Sequence, residues 1–339
     1  MDGKYLILYS TCTVVKGFLR SAIYDLEKQE FHYIPNGFGE LITVFKTKCY
    51  DEVLMDFSKD EKAIILEYKD FIISNDLGFF TEHPELFPDL ELSYEPTTYI
   101  TNAILDRNQF SNYNLFNVIT ELDALSCQDL QLRFYSIIDI EELEDILKHI
   151  HLTEMKSVEV YLKYNSEKTK DLTKLINRWP KIKLLLVHSS PSNKVVHINK
   201  NNFYTSNQGN FMYTSENIES EQHCGMILKS YFSIGIETYS ESLLFNSCLN
   251  KKISLDVLGN IKNCPTLQAS YGKAGETPLI EVLNNDEFLS YSQIKKDQIS
   301  ICQDCEHRHI CTDCRAFVSD IFAKPAKCSY DPYTAKWND

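Results

Sequence analysis

Cysteine spacing dictates more about this chain than any other feature. Cys248 is followed after ten residues by Gly259 and after four more by Cys264. Then come Cys302, Cys305, Cys311 and Cys314, two C-x-x-C pairs with five residues between them, and Cys328 after thirteen more. Thiols at such spacing read as metal ligands, and a segment tied at seven points folds as its ligation dictates. A closed zinc site needs only four of the seven, and a zinc ribbon generally separates its pairs by more than five residues. Cubane iron–sulfur clusters take four thiolates each, which suits this frame better. Zinc stays open as the alternative, with His307 and His309 as nitrogen ligands. Otherwise those two read as exposed loop residues or as donors to the ligands. Arg308, Arg315, Lys324 and Lys327 supply positive charge to a region that metal–thiolate groups make anionic.

The remaining composition narrows the setting. Eleven cysteines behind a start, "MDGKYLILYS", that is no secretory signal point to a reducing cytoplasm. A net charge of −14 argues against nucleic acid or an anionic membrane as partner. No run approaches the ~20 apolar residues of a membrane span. No glycine lies between Gly78 and Gly209, so the middle of the chain has no phosphate-cradling loop. H-E-x-x-H, G-x-S-x-G and P-loop patterns are absent.

A chain of 339 residues predicts two or three domains. Residues 1–85 read as strands ("YLILYSTCTVV", "RSAIYD", "EFHYIP"), then two short helices, then a helix opened by an S-x-x-E capping box at Ser58 and Glu61. Ile64, Ile65, Tyr68, Phe71 and Ile72 share one face of that helix, and "LGFF" returns as a wing strand, suggesting a winged-helix-like domain. From residue 95 to 238, strands at 97–105, 130–135, 157–164 and 182–188 alternate with helices at 113–126, 139–150 and 168–179. That order implies a parallel sheet of about four units, roughly half of an eight-unit barrel. Residues 239–339 form the cysteine-rich third region. Cys12, Cys49 and Cys127 stand alone and read as small buried hydrophobes. Glu237 and Asp256 fall near the cysteines without forming an acid–base pair.

The seven-cysteine frame, with "CRAF" at Cys314–Phe317 and "KKDQISICQDC" before the first pair, resembles the SPASM module of radical-SAM peptide-modifying enzymes. The resemblance implies two auxiliary [4Fe-4S] clusters, one on Cys302, Cys305, Cys311 and Cys328, the other on Cys248, Cys264 and Cys314. This chain departs from the family in having two residues, not three, between Cys311 and Cys314. The further cysteine shortly upstream of Cys248 is missing, with Ser242 in that region and Cys224 as a possible substitute. The C-x3-C-x2-C loop that holds the cofactor-cleaving cluster is absent as well, since "DRNQFSNYN" follows the first barrel strand. The second strand, "LQLRFYSIID", carries no Gly-Gly-Glu. S-adenosylmethionine cleavage is therefore not expected.

With its ending "CSYDPYTAKW", the whole chain is similar to the SPASM-domain peptide maturases of grasp-with-spasm systems. That likeness implies an α/β multidomain protein. Its parts would be a winged-helix-like leader-peptide-recognition domain (1–85), a degenerate partial radical-SAM-like (β/α) barrel (95–238) and an iron–sulfur SPASM domain (239–339). It also implies ribosomal peptide maturation beside an ATP-grasp ligase and a precursor peptide. Two other readings stand next to it: a redox or Lewis-acid peptide-modifying enzyme using an open auxiliary cluster, and a zinc-stapled structural adaptor.

Overall fold

The computed structural model describes residues 3–94, 96–169, 172–197 and 209–338. It divides into two compact units. Unit 1 comprises Met1–Glu95, Ile227–Ser247 and Ile294–Asp339, and unit 2 comprises Pro96–Met226 and Cys248–Gln293. The stretch 239–339, expected as one domain, is thus shared between them.

Unit 1 begins with β1 (Tyr5–Leu8), β2 (Cys12–Lys16), β3 (Ser21–Asp25) and β4 (Glu30–Ile34). The last three form an antiparallel meander with β3 central and buried at all five positions. Pro35, which has no N–H to extend the ladder, ends β4, and its carbonyl accepts from Phe38 as α1 (Asn36–Thr47) begins. After α2 (Tyr50–Met55), the Ser58 side chain accepts from Glu61 N while Glu61 reaches back to Ser58 N, opening α3 (Lys59–Ser74). Ile65 and Ile72 are buried, Tyr68 stacks on Phe38 at 4.0 Å, and Phe71 meets His32 of β4. Ile64, expected on the buried face, is instead 48% exposed. The wing strand β5 (Gly78–Thr81) pairs antiparallel with β1, where a Cβ on Gly78 would stand 2.2 Å from the Ile7 carbonyl oxygen. The other face of the meander, Val15, Ala22 and Tyr24, packs on Tyr239 of the helix Ile236–Leu244 and on Ile310.

Unit 2 is an open, mostly parallel sheet with helices between its strands. The alternation runs β6 (Asn102–Arg107), α4 (Leu115–Ala124), β7 (Asp129–Phe134), α5 (Ile140–His151), β8 (Ser157–Lys163), α6 (Thr173–Arg178) and β9 (Ile182–His188). Residues 170 and 171 of the helix expected at 168–179 lie outside the described residues. β10 (Lys194–Val196) and β11 (Asn210–Tyr213) extend the sheet past β9, while β12 (Lys252–Leu255) and β13 (Ile261–Lys262) extend it past β6. Among the described residues the order is β10-β11-β9-β8-β7-β6-β12-β13, with β12 parallel to β6. That pairing brings Cys248–Gln293 into this unit. Leu105, Leu132, Val160 and Leu185, from four adjacent strands, sit in one core with α4 and α5, and Cys127 joins it. Among the described residues no helix is long and apolar enough to cross a membrane.

Candidate metal centres

In unit 1 the first C-x-x-C pair is a single tight turn, closed by Cys305 N donating to Cys302 O at 3.0 Å. Ile301 precedes it with φ 67° and ψ −44°, and Cys302 N donates back to Ser300 O at 2.8 Å, a γ-turn of the strained hand. The next turns, Arg308 N to Cys305 O and Ile310 N to His307 O, carry the chain to Cys311. Cys328 is brought in by a bridge to Ile227 and by Cys328 N donating to Pro325 O.

The four thiols share one electrostatic environment. Burial pushes Cys311 up to about 12 and raises Cys302 and Cys305 too; Cys328 acts on Cys302 and Cys311, while Cys302 and Cys311 act on Cys305. Cys314 is buried in the same unit. Among the described residues no three of these thiols lie within 4.8 Å of one another. Thiolates on one zinc would sit about 3.8 Å apart, given 2.3 Å bonds in a tetrahedron. The group is therefore wider than a closed mononuclear site.

The charges beside it fit an anionic occupant. Lys296 is 4% exposed and Arg315 1%. Both lean on one carboxylate: Asp313 Oδ1 lies 3.3 Å from Lys296 Nζ and 2.7 Å from Arg315 Nη2, and Asp313 Oδ2 accepts from Asn246. One carboxylate cannot neutralise two buried cations. Burial would lower the Lys296 ammonium, yet Cys311, Asp313 and Cys302 hold it above its ordinary value. Thiolates of a metal group would complete the balance.

His307 and His309, read from the sequence as exposed loop residues or as donors to the ligands, are only 1% and 4% exposed. Burial pushes both down to about 4, so they stay neutral near pH 7. His307 N donates to Cys305 Sγ at 3.4 Å, and its ring Nε2 meets the Tyr33 hydroxyl at 2.8 Å. His309 Nδ1 lies 3.1 Å from Ser242 Oγ, so Ser242 serves a histidine. Cys305, Glu306 and His307 do bring their donor atoms within 4.8 Å. Glu306 has one oxygen committed elsewhere: its Oε1 accepts from Arg20 Nε at 2.6 Å and from Tyr330 at 2.5 Å, and its carbonyl accepts from Tyr24, while the buried Oε2 has no hydrogen-bond partner among the described residues.

Unit 2 gathers a second thiol group on the β12–β13 hairpin. Ser254 pairs with Lys262 and Leu255 with Ile261, so the register carries Lys252 to the position facing Cys264. Cys248 lies one turn before Lys252, whose Nζ donates to Cys248 Sγ at 3.5 Å. Gly259 holds the hairpin turn at φ 78°, and a Cβ there would meet the Tyr113 ring at 3.1 Å, which accounts for the glycine five positions before Cys264. Asp256 is spent on the same turn, accepting from Asn260 and pairing with Lys262 at 3.0 Å. Burial pushes Cys264 up to about 12. Against desolvation, Cys248, Cys264 and Cys224 hold the half-buried Lys252 ammonium above its ordinary value.

Cysteine spacing therefore pointed to the thiols, but Lys252, Lys296 and Asp313 carried no signal of their own. At the carboxyl ends of β6 and β7, Arg133 makes a bidentate pair with Asp106 (2.5 and 2.8 Å), which also accepts from Tyr135 at 2.9 Å, all three buried.

No family model matches the chain, and no curated protein matches it. Among solved structures it is similar to SuiB of Streptococcus suis bound to S-adenosylmethionine, at 10% identity over 94% of this chain and 98% of that one, TM-score 0.30. SuiB bound to precursor peptide SuiA aligns at 9% identity over 94% and 98%, TM-score 0.33. Likenesses this loose transfer neither a residue nor a role.

Proposed function

We propose that the chain is an iron–sulfur, leader-peptide-binding component of ribosomal peptide maturation, acting with an ATP-grasp ligase. The observation that carries the metal part is the pairing of each thiol group with its own inward-facing lysine, Lys296 in unit 1 and Lys252 in unit 2. Cys302, Cys305, Cys311 and Cys328 would hold one cluster, and Cys248 and Cys264 would contribute to another. Such clusters would supply electron transfer or, at an iron without a protein ligand, Lewis-acid activation. The wide thiol spacing in unit 1 and the commitment of Glu306 to Arg20 favour clusters over a zinc staple.

The peptide part rests on β4, an edge strand of its sheet and so a place for strand addition. Ile64, Tyr68 and Phe71 fall on one stripe of α3; Phe71 reaches β4, and Ile64, two turns earlier on that stripe, is exposed. A leader would pair with β4 and rest an apolar side chain against Ile64.

Anaerobic reconstitution tests the first part. About eight irons with matching sulfide and charge-transfer absorbance support two clusters, whereas a colourless zinc protein overturns them. Ile64→Asp should weaken binding of the leader peptide at least ~10-fold, about 1.4 kcal/mol, without changing iron content; unchanged affinity overturns the groove. S-adenosylmethionine, with which a SuiB structure was solved, belongs in the same titrations. Mass spectrometry of the precursor, co-expressed with and without this chain and the ligase, separates a binding role from a catalytic one.

A further inference from the structure

Cys224 lies 24 positions before Cys248, outside the spacing frame, at the end of the short turn Glu221–His223. Ser220 caps that turn, and Cys224 N donates to Glu221 O at 3.0 Å, fixing the thiol's backbone. The turn is tied to the far end of the β12–β13 hairpin. Thr266 Oγ1 donates to the same Glu221 carbonyl at 3.4 Å, and Thr266 belongs to the turn that Leu267 N closes onto Cys264 O. Cys224 and Cys264 are thus anchored through one shared carbonyl, and the hairpin register sets Lys252 opposite Cys264 with its ammonium on Cys248.

We infer that Cys224 is a thiolate ligand of the same metal group as Cys248 and Cys264, so that unit 2 supplies three thiolates to it. The charges agree. Lys252 Nζ, 3.5 Å from Cys248 Sγ, also counts Cys264 and Cys224 among its charged neighbours. Cys264 is buried beside the same neighbours, Cys248, Lys252 and Cys224. On the other side Cys224 acts on Arg133, whose charge burial opposes and Asp106 mainly sustains. Three thiolates carry the negative charge that a metal group requires of its ligands; Lys252 offsets part of it, while Arg133 stays paired with Asp106. The departure from the resembling module then has a local cause: a loop of the α/β sheet supplies the thiol that the segment just before Cys248 lacks.

The inference rests on the metal reading above, and the experiment separates the two. Full-length chain and the Cys224→Ser, Cys264→Ser and Cys49→Ser variants are reconstituted anaerobically with iron and sulfide, and metal per chain is counted. Cys224→Ser is expected to lose roughly half of the bound iron, as Cys264→Ser does, given four irons per cluster, while Cys49→Ser keeps the full amount. Wild-type stoichiometry in Cys224→Ser beside a loss in Cys264→Ser overturns the assignment. Zinc uptake instead of iron defeats the cluster reading, but the same comparison of metal counts still decides Cys224. A chain that takes up no metal defeats both. Alkylation mass spectrometry on the unsubstituted chain guards against a folding artefact. Cys224 and Cys248, both half-buried, should be protected together when metal is loaded and labelled together after chelation; labelling of Cys224 alone in the loaded chain overturns the inference.

Discussion

Lys252 is the counter-charge of its thiol group, and it shows what a sequence hides at the scale of one residue. A lysine four positions after a cysteine looks like any solvated lysine. Only the hairpin register turns it toward the sulfurs, so cysteine spacing was legible and the charge balance was not. Replacing it by methionine removes one positive charge beside the proposed cluster, which would disfavour the reduced state. Lys252→Met should lower the midpoint potential by on the order of 60 mV, tenfold in a one-electron equilibrium, in an EPR-monitored redox titration; an unchanged midpoint would place the ammonium away from the cluster. His188 offers a second residue-scale test. It is 1% exposed, its Nε2 faces Phe134 O at 3.1 Å, and burial, with smaller parts from Lys163 and His223, holds it below its ordinary 6.5. The unfolded chain therefore takes up this proton first. Its contribution to stability is complete above 6.5 and declines as pH falls from there toward the folded value. Urea midpoints measured from neutral pH down to about 5.5 should fall less steeply in His188→Gln, which keeps a donor for Phe134.

Among the elements, legibility followed length and periodicity. The four parallel strands β6–β9 and the capping box of α3 were readable because runs of β-branched and aliphatic residues, and an S-x-x-E signal, are local. β12 was not, since its four residues become a strand only by pairing with β6, whose Asn102 faces Lys252 across 150 positions of chain. That same hairpin is the place to perturb the second thiol group without touching a thiol. Gly259→Ala forces a side chain into φ 78° and against Tyr113, and should cost about 1–3 kcal/mol in chemical denaturation. It should also lower metal content as Cys248 and Cys264 move apart. Full metal content in the destabilised variant would show that the turn does not set the ligand spacing. Between β6 and β7, Arg133→Met strands the Asp106 carboxylate and is expected to cost about 3–5 kcal/mol. The double variant with Asp106→Asn should recover much of that loss, which a mere packing defect would not allow.

For the molecule as a whole, the sequence reads as three consecutive regions, and the chain packs as two compact units built from five segments. No composition shift marks such interleaving, because the joining events are a bridge at Ile227 and Cys328 and a strand pairing at Lys252 and Asn102, both remote in sequence. A chain ending at residue 293 would retain all of unit 2 and lose the segment that supplies Ile310 and Glu306 to the β2–β4 meander. Hydrogen exchange on it should leave β6–β9 protected and β2–β4 open; protection of both would mean that Met1–Glu95 with Ile227–Ser247 folds without the closing segment. The interleaving also sets a clock during biosynthesis. The first segment of unit 1 is made before all of unit 2, and its closing segment only after it. At 5–20 residues per second the intervening ~200 residues take roughly 10–40 s. Through that interval the apolar face around Val15, Ala22 and Tyr24 emerges from the ribosome without Ile310 to cover it. Nascent chains of this design need either fast translation or a chaperone that holds an aromatic-rich sheet face until the last cysteine turn arrives.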